Sequence, residues 1–192
     1  MTKQLQDMKV AIVVDDLFEQ AELEEPKKAL EAAGVTVHIV ATKGPTVTGM
    51  KHHDPGDSFP VSISLDQARP EDYDGLVLPG GVVNADTLRT NPLAQAFAKA
   101  IDQAGKPLAV VCHGPWLLVS ADLVSGRTLT SWPSLQDDLR NAGATWVDQE
   151  VVTDGNWTSS RKPADLPAFN RAFLAALQRD PVKPLEAMPI AV

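Results

Sequence analysis

Cys112 is the only cysteine in this chain of 192 residues, and it stands where the apolar run Ala109-Val110-Val111 gives way to His113-Gly114-Pro115. A side chain at the end of a buried strand, with a helix starting behind it, faces the carboxyl edge of a sheet, where a nucleophile meets its substrate. Backbone N–H groups at a helix start and the positive end of its dipole favour a thiolate, which lowers a cysteine pKa below its free value of about 8.5. The competing reading is a small buried hydrophobe, the usual fate of a lone cysteine. Gly114 weighs against it, because a glycine there permits a tight turn and close backbone approach to a bound molecule.

Other residues fall into place around that thiol. Leu78-Pro79-Gly80-Gly81 is a second strand end, which reads either as a plain turn or as a place where free N–H groups face the same cleft and stabilise an oxyanion together with the N–H of His113. Glu19 and Glu22 are three residues apart after the first apolar run, so they share a helix face near the same edge. Pairs of this kind are most often solvated surface. A carboxylate held beside a thiol, in contrast, either stays protonated and donates a hydrogen bond or acts as general acid and base.

The four histidines are His38, His52, His53 and His113, and none follows Cys112 except its immediate neighbour. That order excludes a papain-like arrangement and argues against a working glutamine amidotransferase, each of which needs a distant downstream histidine. His113 is left as the downstream base, although adjacent side chains at a sharp turn tend to diverge. The consecutive His52-His53-Asp54 rarely converge on one ion, so they read as a solvated loop and no metal is expected. Of Trp116, Trp132, Trp146 and Trp157, Trp116 is the candidate for the pocket because it flanks Cys112; the others read as core or interface.

The elements that must position these residues alternate. Residues 8–14 are β-branched and apolar at consecutive positions, as in a strand buried on both faces of a parallel sheet, and 35–41, 74–78 and 107–111 read as further strands. Helical spacing covers 19–33, stopped by Gly34, with Pro26 confined to the first turn or kinking the helix. Residues 92–104 and 163–178 are further helices, each opened by proline. Residues 150–153 and 157–160 flank Asp154-Gly155-Asn156 as a hairpin-like edge, and 43–60 is a loop-rich excursion with the punctuation of a hairpin or inserted arm. This βα repetition predicts an α/β three-layer sandwich, a mostly parallel sheet with helices on both faces and right-handed crossovers. One domain over residues 1–178 is expected, with a proline-containing tail over 179–192.

Composition narrows the function classes. A chain of this length buries roughly 70% of its unfolded surface, enough for one core without staples. Its 17 Lys and Arg are scattered and outnumbered by 25 Asp and Glu, for a net charge of −8, so nucleic acid is not an expected partner. No apolar stretch reaches the ~20 residues of a membrane span, and no cleavable signal precedes residues 10–14. A single thiol suits a reducing compartment, so a cytoplasmic location is expected.

Taken together, Ala109-Val110-Val111-Cys112-His113-Gly114-Pro115 and Leu78-Pro79-Gly80-Gly81 resemble the PfpI branch of the ThiJ/PfpI superfamily. Leu123-Val124-Ser125-Gly126-Arg127, Ser131-Trp132-Pro133, Asp137-Asp138, Asn141-Ala142-Gly143-Ala144 and Val152-Thr153-Asp154-Gly155-Asn156-Trp157 are similar to it in order and spacing, over residues 8–177. The resemblance implies a flavodoxin-like, class I glutamine amidotransferase-like fold. It also implies Cys112 as nucleophile, His113 as its partner, Glu22 as the carboxylate beside the thiol and Gly80 or Gly81 in the oxyanion pocket, with Glu19 secondary. Asp86 is the nearest match to an acidic residue that some members lend from a neighbouring subunit, which implies a homodimer or larger homo-oligomer.

Activities in that family run from peptide hydrolysis to removal of early glycation adducts and conversion of glyoxals to hydroxy acids. The expectation is a cofactor-free, cysteine-dependent stress-response hydrolase acting on small-molecule carbonyls or on modified proteins and peptides. An intracellular cysteine peptidase and a redox-sensing protein with an oxidisable Cys112 are the alternatives.

Overall fold

The computed structural model describes residues 3–179, so the expected tail lies, beyond Arg179, outside the described residues. Strand β1 (Lys9–Val14) is the β-branched run near the N-terminus, with Val10 to Val14 at most 1% exposed. After a turn in which Leu17 takes a left-handed φ of 66°, the two-residue β2 (Phe18–Glu19) leads into α1 (Gln20–Ala32). Pro26 lies inside α1, past its first turn, and cannot donate to the carbonyl four residues back, that of Glu22. Gly34, at φ 88°, takes the chain out of α1 and into β3 (Thr36–Ala41).

The excursion is a hairpin, β4 (Thr46–Lys51) and β5 (Asp54–Pro60), paired antiparallel with an irregularity between Thr48 and Met50. It adds to β2 rather than to the main sheet, forming a separate three-stranded arm. The chain continues through β6 (Ile63–Ser64), β7 (Gly75–Leu78) and α2 (Val82–Arg89). Helix α3 (Pro92–Gln103) starts where Asn91 accepts from the N–H groups of Leu93 and Ala94, with Pro92 in the first turn. Then come β8 (Leu108–Val111), α4 (Pro115–Ser120), β9 (Thr128–Leu129), α5 (Gln136–Asn141) and β10 (Thr145–Trp146). β11 (Val151–Asp154), β12 (Trp157–Ser160) and α6 (Leu166–Leu177) close the described chain.

The main sheet has seven strands in the order β11-β12-β8-β7-β1-β3-β6, parallel except for β11. The hairpin-like edge read from the sequence is β11 and β12, paired antiparallel with β11 outermost; β12 lies between β8 and β11, and all four of its residues are buried. Side chains alternate across the sheet, so one apolar cluster joins Ala11, Val13, Leu76 and Val110 to α2, α3, α4 and α5. The other joins Val10, Ile12, Val77 and Val111 to α1 and α6. Each aliphatic side chain buried this way contributes about 1.5–3 kcal/mol. Among the described residues, no helix is long and apolar enough to cross a membrane.

The carboxyl ends of β1, β7 and β8 meet at one edge, and backbone contact sets how closely. A Cβ on Gly114 would stand 2.6 Å from the Leu78 carbonyl oxygen and 2.9 Å from Val110 Cγ2. Its φ of −50° suits any residue, so only space requires glycine there. Gly114→Ala is therefore expected to cost about 1–3 kcal/mol by overpacking, read as a lower urea midpoint; an unchanged midpoint would show that β7 and the turn after β8 can separate freely.

Candidate active site

Cys112 terminates β8 in a left-handed conformation, φ 59°, that a non-glycine residue seldom takes. Two backbone bonds hold it there: its N–H donates to Ser160 on β12 (3.1 Å), and its carbonyl accepts from Trp132 (2.9 Å). Such a conformation costs of order 1–3 kcal/mol and persists because its surroundings over-determine it. The turn aims the side chain into the cleft. The residue is nonetheless only 6% exposed, more enclosed than the open sheet edge expected from sequence.

His113 does not diverge from its neighbour. Its Nδ1 is 3.1 Å from Cys112 Sγ, while the ring packs edge-on against Trp116 (5.3 Å) and stacks on Trp132 (6.0 Å between centroids). Burial lowers the imidazole pKa, so a neutral ring faces the sulfur at neutral pH and can accept or relay a proton.

Glu22, on the first turn of α1, is fully buried. Its Oε2 accepts the Gly80 N–H at 2.7 Å, and Oε1 makes no conventional hydrogen bond. Burial raises the carboxyl to about 8, against the Gly80 N–H and the Cys112 contact, which pull it down. Glu22 therefore holds a proton at neutral pH, and the Cys112 side chain beside it is the group to which that proton can be offered. Burial, then the Glu22 charge, pushes the Cys112 thiol up; the N–H groups of Gly81 and His113 pull it down. The lowering expected from the helix start is thus opposed by burial, and α4 is only six residues long. With Glu22 protonated the charge repulsion disappears. At neutral pH both groups hold their protons, and removal of one leaves a single negative charge on the pair.

Gly80 and Gly81 divide the work that the sequence assigned to either. The Gly80 N–H is committed to Glu22, which removes it as an oxyanion donor; the Gly81 N–H, with that of His113, faces the sulfur. Neither position accepts a side chain: a Cβ on Gly80 would lie 2.6 Å from the His113 nitrogen, and one on Gly81, at φ 84°, 2.7 Å from the Glu19 nitrogen.

Cys112, His113, Glu22 and Gly81 line a cavity of about 530 Å³. Trp116 does not: α4 turns it toward Arg89, which lies over its ring, and its Nε1–H donates to Asp138. Trp132 lines the wall in its place, 39% exposed and delivered by its backbone bond to Cys112. Glu19 lies in the wall as well, and so do His52 and His53 from the tip of the hairpin, where His52 N–H donates to Glu19 Oε2 (3.2 Å). The sequence read those histidines as a solvated loop; they are exposed, but over the cavity. Lys162, Pro163 and Ala164 complete the rim. Asp86 is exposed on α2 and lines no part of this chain's cavity.

Glu22 binds more protons folded than unfolded between its ordinary value of 4.5 and about 8. Its contribution to stability is thus complete below pH 4.5 and is lost as the pH rises through about 8. Glu22→Gln keeps an acceptor for Gly80 and removes the ionisation. The drop in melting temperature from pH 6 to pH 9 is expected to be smaller in the variant than in the parent protein; equal drops would mean that Glu22 ionises in the folded state at ordinary pH.

The DJ-1/PfpI family profile matches residues 8–176. A deglycase of Pyrococcus horikoshii is 44% identical over 171 residues, 89% of this chain and 100% of the relative. Deglycase PfpI of Pyrococcus furiosus is 41% identical over 171 residues with the same coverage. A two-domain protein of Anabaena variabilis, with DJ-1/ThiJ/PfpI-like and ferritin-like domains, superposes with a TM-score of 0.84 at 33% identity; 88% of this chain covers 48% of that longer one. From residue 8 to residue 176, across the sheet, the cysteine turn and the two-glycine loop, the chain belongs to the DJ-1/PfpI family.

Proposed function

We propose that this protein is a cysteine-dependent deglycase and glyoxalase, acting on reactive dicarbonyls and on the early adducts they form with amines and thiols. The observation that carries this reading is the Cys112 sulfur set beside a buried Glu22 carboxyl that burial keeps protonated, with His113 Nδ1 3.1 Å from the sulfur, at the wall of a cavity of about 530 Å³. Deglycase is also the name given to the Pyrococcus relatives.

The sulfur adds to the aldehyde carbon of methylglyoxal, forming a C–S bond, and the carbonyl electron pair moves to oxygen. The N–H groups of Gly81 and His113 stabilise that oxyanion, and Glu22 supplies its proton. The resulting Glu22 carboxylate or neutral His113 removes the hydrogen from the former aldehyde carbon, giving an enediol. Reprotonation at the neighbouring carbon yields a thioester, and water cleaves it to lactate and free thiol. Methylglyoxal plus water gives lactic acid, so the internal shift of hydrogen needs no external oxidant or reductant. With an adduct as substrate, the same sum releases the amine or thiol as well.

Asp86 enters this reading only from a second copy of the chain. It is exposed on α2 beside Val83 and beside Val82, which lines this chain's cavity.

Purified protein incubated with methylglyoxal is expected to form lactate, with turnover falling to the uncatalysed rate in Cys112→Ala and about 10²–10⁴-fold in Glu22→Gln. Asp86→Asn in the same assay lowers turnover if the second copy contributes, and leaves it unchanged if it does not. Lactate formation that survives Cys112→Ala would sink the thiol mechanism.

A further inference from the structure

Asn84 is fully buried on α2, a helix of eight residues, although asparagine is a poor helix former. All of its side-chain hydrogen-bonding capacity on the sheet side is used. Its Oδ1 accepts the Asp15 N–H at 2.7 Å, and since a backbone N–H can only donate, this fixes which end of the amide is oxygen. The Nδ2 group must then face the other way, where it donates to the Pro79 carbonyl (3.1 Å) and to the Gly80 carbonyl (2.9 Å).

Those two carbonyls belong to consecutive peptide units whose N–H ends serve the active site. The Pro79 carbonyl shares a plane with the Gly80 N–H, and the Gly80 carbonyl with the Gly81 N–H. In a trans peptide the two ends point in opposite directions, and the cis bond among the described residues lies elsewhere, at Gly44-Pro45. Holding the Pro79 carbonyl therefore turns the Gly80 N–H toward Glu22 Oε2, 2.7 Å away. Holding the Gly80 carbonyl turns the Gly81 N–H toward the Cys112 sulfur. The Glu19 N–H helps only weakly, at 3.4 Å from the Gly80 carbonyl. Glycines have no side chain to stop their peptide planes from rotating, so an outside clamp is required.

We propose that Asn84 is a positioning residue: its single buried amide group sets two successive peptide planes, and through them the donor that holds Glu22 and the donor that supports negative charge on Cys112. The Asp15 end of the clamp is itself anchored. Asp15 is 3% exposed; its carboxylate accepts from the Thr42 hydroxyl and from the Asp16 N–H, and pairs with Lys43 (3.4 Å). The carboxyl end of β1 thus governs the donors at the end of β7. This inference rests on the thiolate chemistry proposed above, but its test reads the thiol and not the turnover of any carbonyl.

The rate of Cys112 alkylation by iodoacetamide is followed against pH in the parent protein, in Asn84→Ala, in Asn84→Asp, and in Ile101→Ala as a destabilised control in the remote core. Loss of the Gly81 donor is expected to raise the apparent pKa of Cys112 in both Asn84 variants by about one unit, a tenfold loss of thiolate below both values. Ile101→Ala, at comparable loss of urea stability, is expected to leave the profile in place. A profile unchanged in both Asn84 variants, or a control that shifts as far, overturns the proposal. Should neither Asn84 variant fold, the Gly81 amide resonance of the parent protein decides. Its chemical shift should follow the ionisation of Cys112 and stay constant in Cys112→Ser; a resonance indifferent to that ionisation also overturns the proposal.

Discussion

A carboxyl group with no access to water sits against a thiol, and the loop around them serves to make that arrangement tolerable. Glu22 is fully buried, and one of its two oxygens has a conventional hydrogen bond, from the Gly80 N–H. Two negative charges in so enclosed a place would be prohibitive, and burial keeps the proton on Glu22 at neutral pH. The glycine at position 80 follows from this, since the Cβ of any other residue would lie 2.9 Å from Glu22 Oε2 and 2.7 Å from the Cys112 Cβ. The left-handed turn at Cys112 follows as well, because it swings the sulfur off the strand axis and toward the pair of N–H donors.

The fold supplies this geometry through strand ends. β1, β7 and β8 are neighbours in the sheet, so their carboxyl ends deliver the α1 start, the two-glycine loop and the cysteine turn to one place. The three-stranded arm built on β2 then brings His52 and His53 over the cavity, tied down by the Glu19 carboxylate and by the Asp16 side chain, which accepts the Thr48 N–H. The resulting wall is mixed: Trp132 and Val82 offer apolar surface, while Glu19, the two histidines and Lys162 offer polar contacts for a ligand larger than a free dicarbonyl.

Much of this was legible in the sequence because its signals are local. Runs of apolar residues mark β1, β7 and β8 as strands buried on both faces, and Cys112 followed by His113-Gly114-Pro115 marks a strand-to-helix turn. What was not legible depends on contacts between distant segments. Glu19 and Glu22 read alike in local spacing, but Glu19 ends β2 while Glu22 lies on the first turn of α1, which buries it completely although both line the cavity. Trp116 flanks the thiol in sequence, yet the first turn of α4 points it toward Arg89; Trp132, twenty residues on, reaches the site through a backbone bond to Cys112. The clamp at Asn84 had no sequence signal, for an asparagine three residues after a glycine pair reads as part of a turn.

The most direct test of the proton on Glu22 is infrared difference spectroscopy of the parent protein against Glu22→Gln across a pH series. The account predicts a protonated carboxylic acid band at pH 7 that the variant lacks and that fades as the pH passes about 8. A band that has already vanished near the ordinary carboxyl value of 4.5 would mean that Glu22 is charged at neutral pH, and the pairing with Cys112 described above would be wrong.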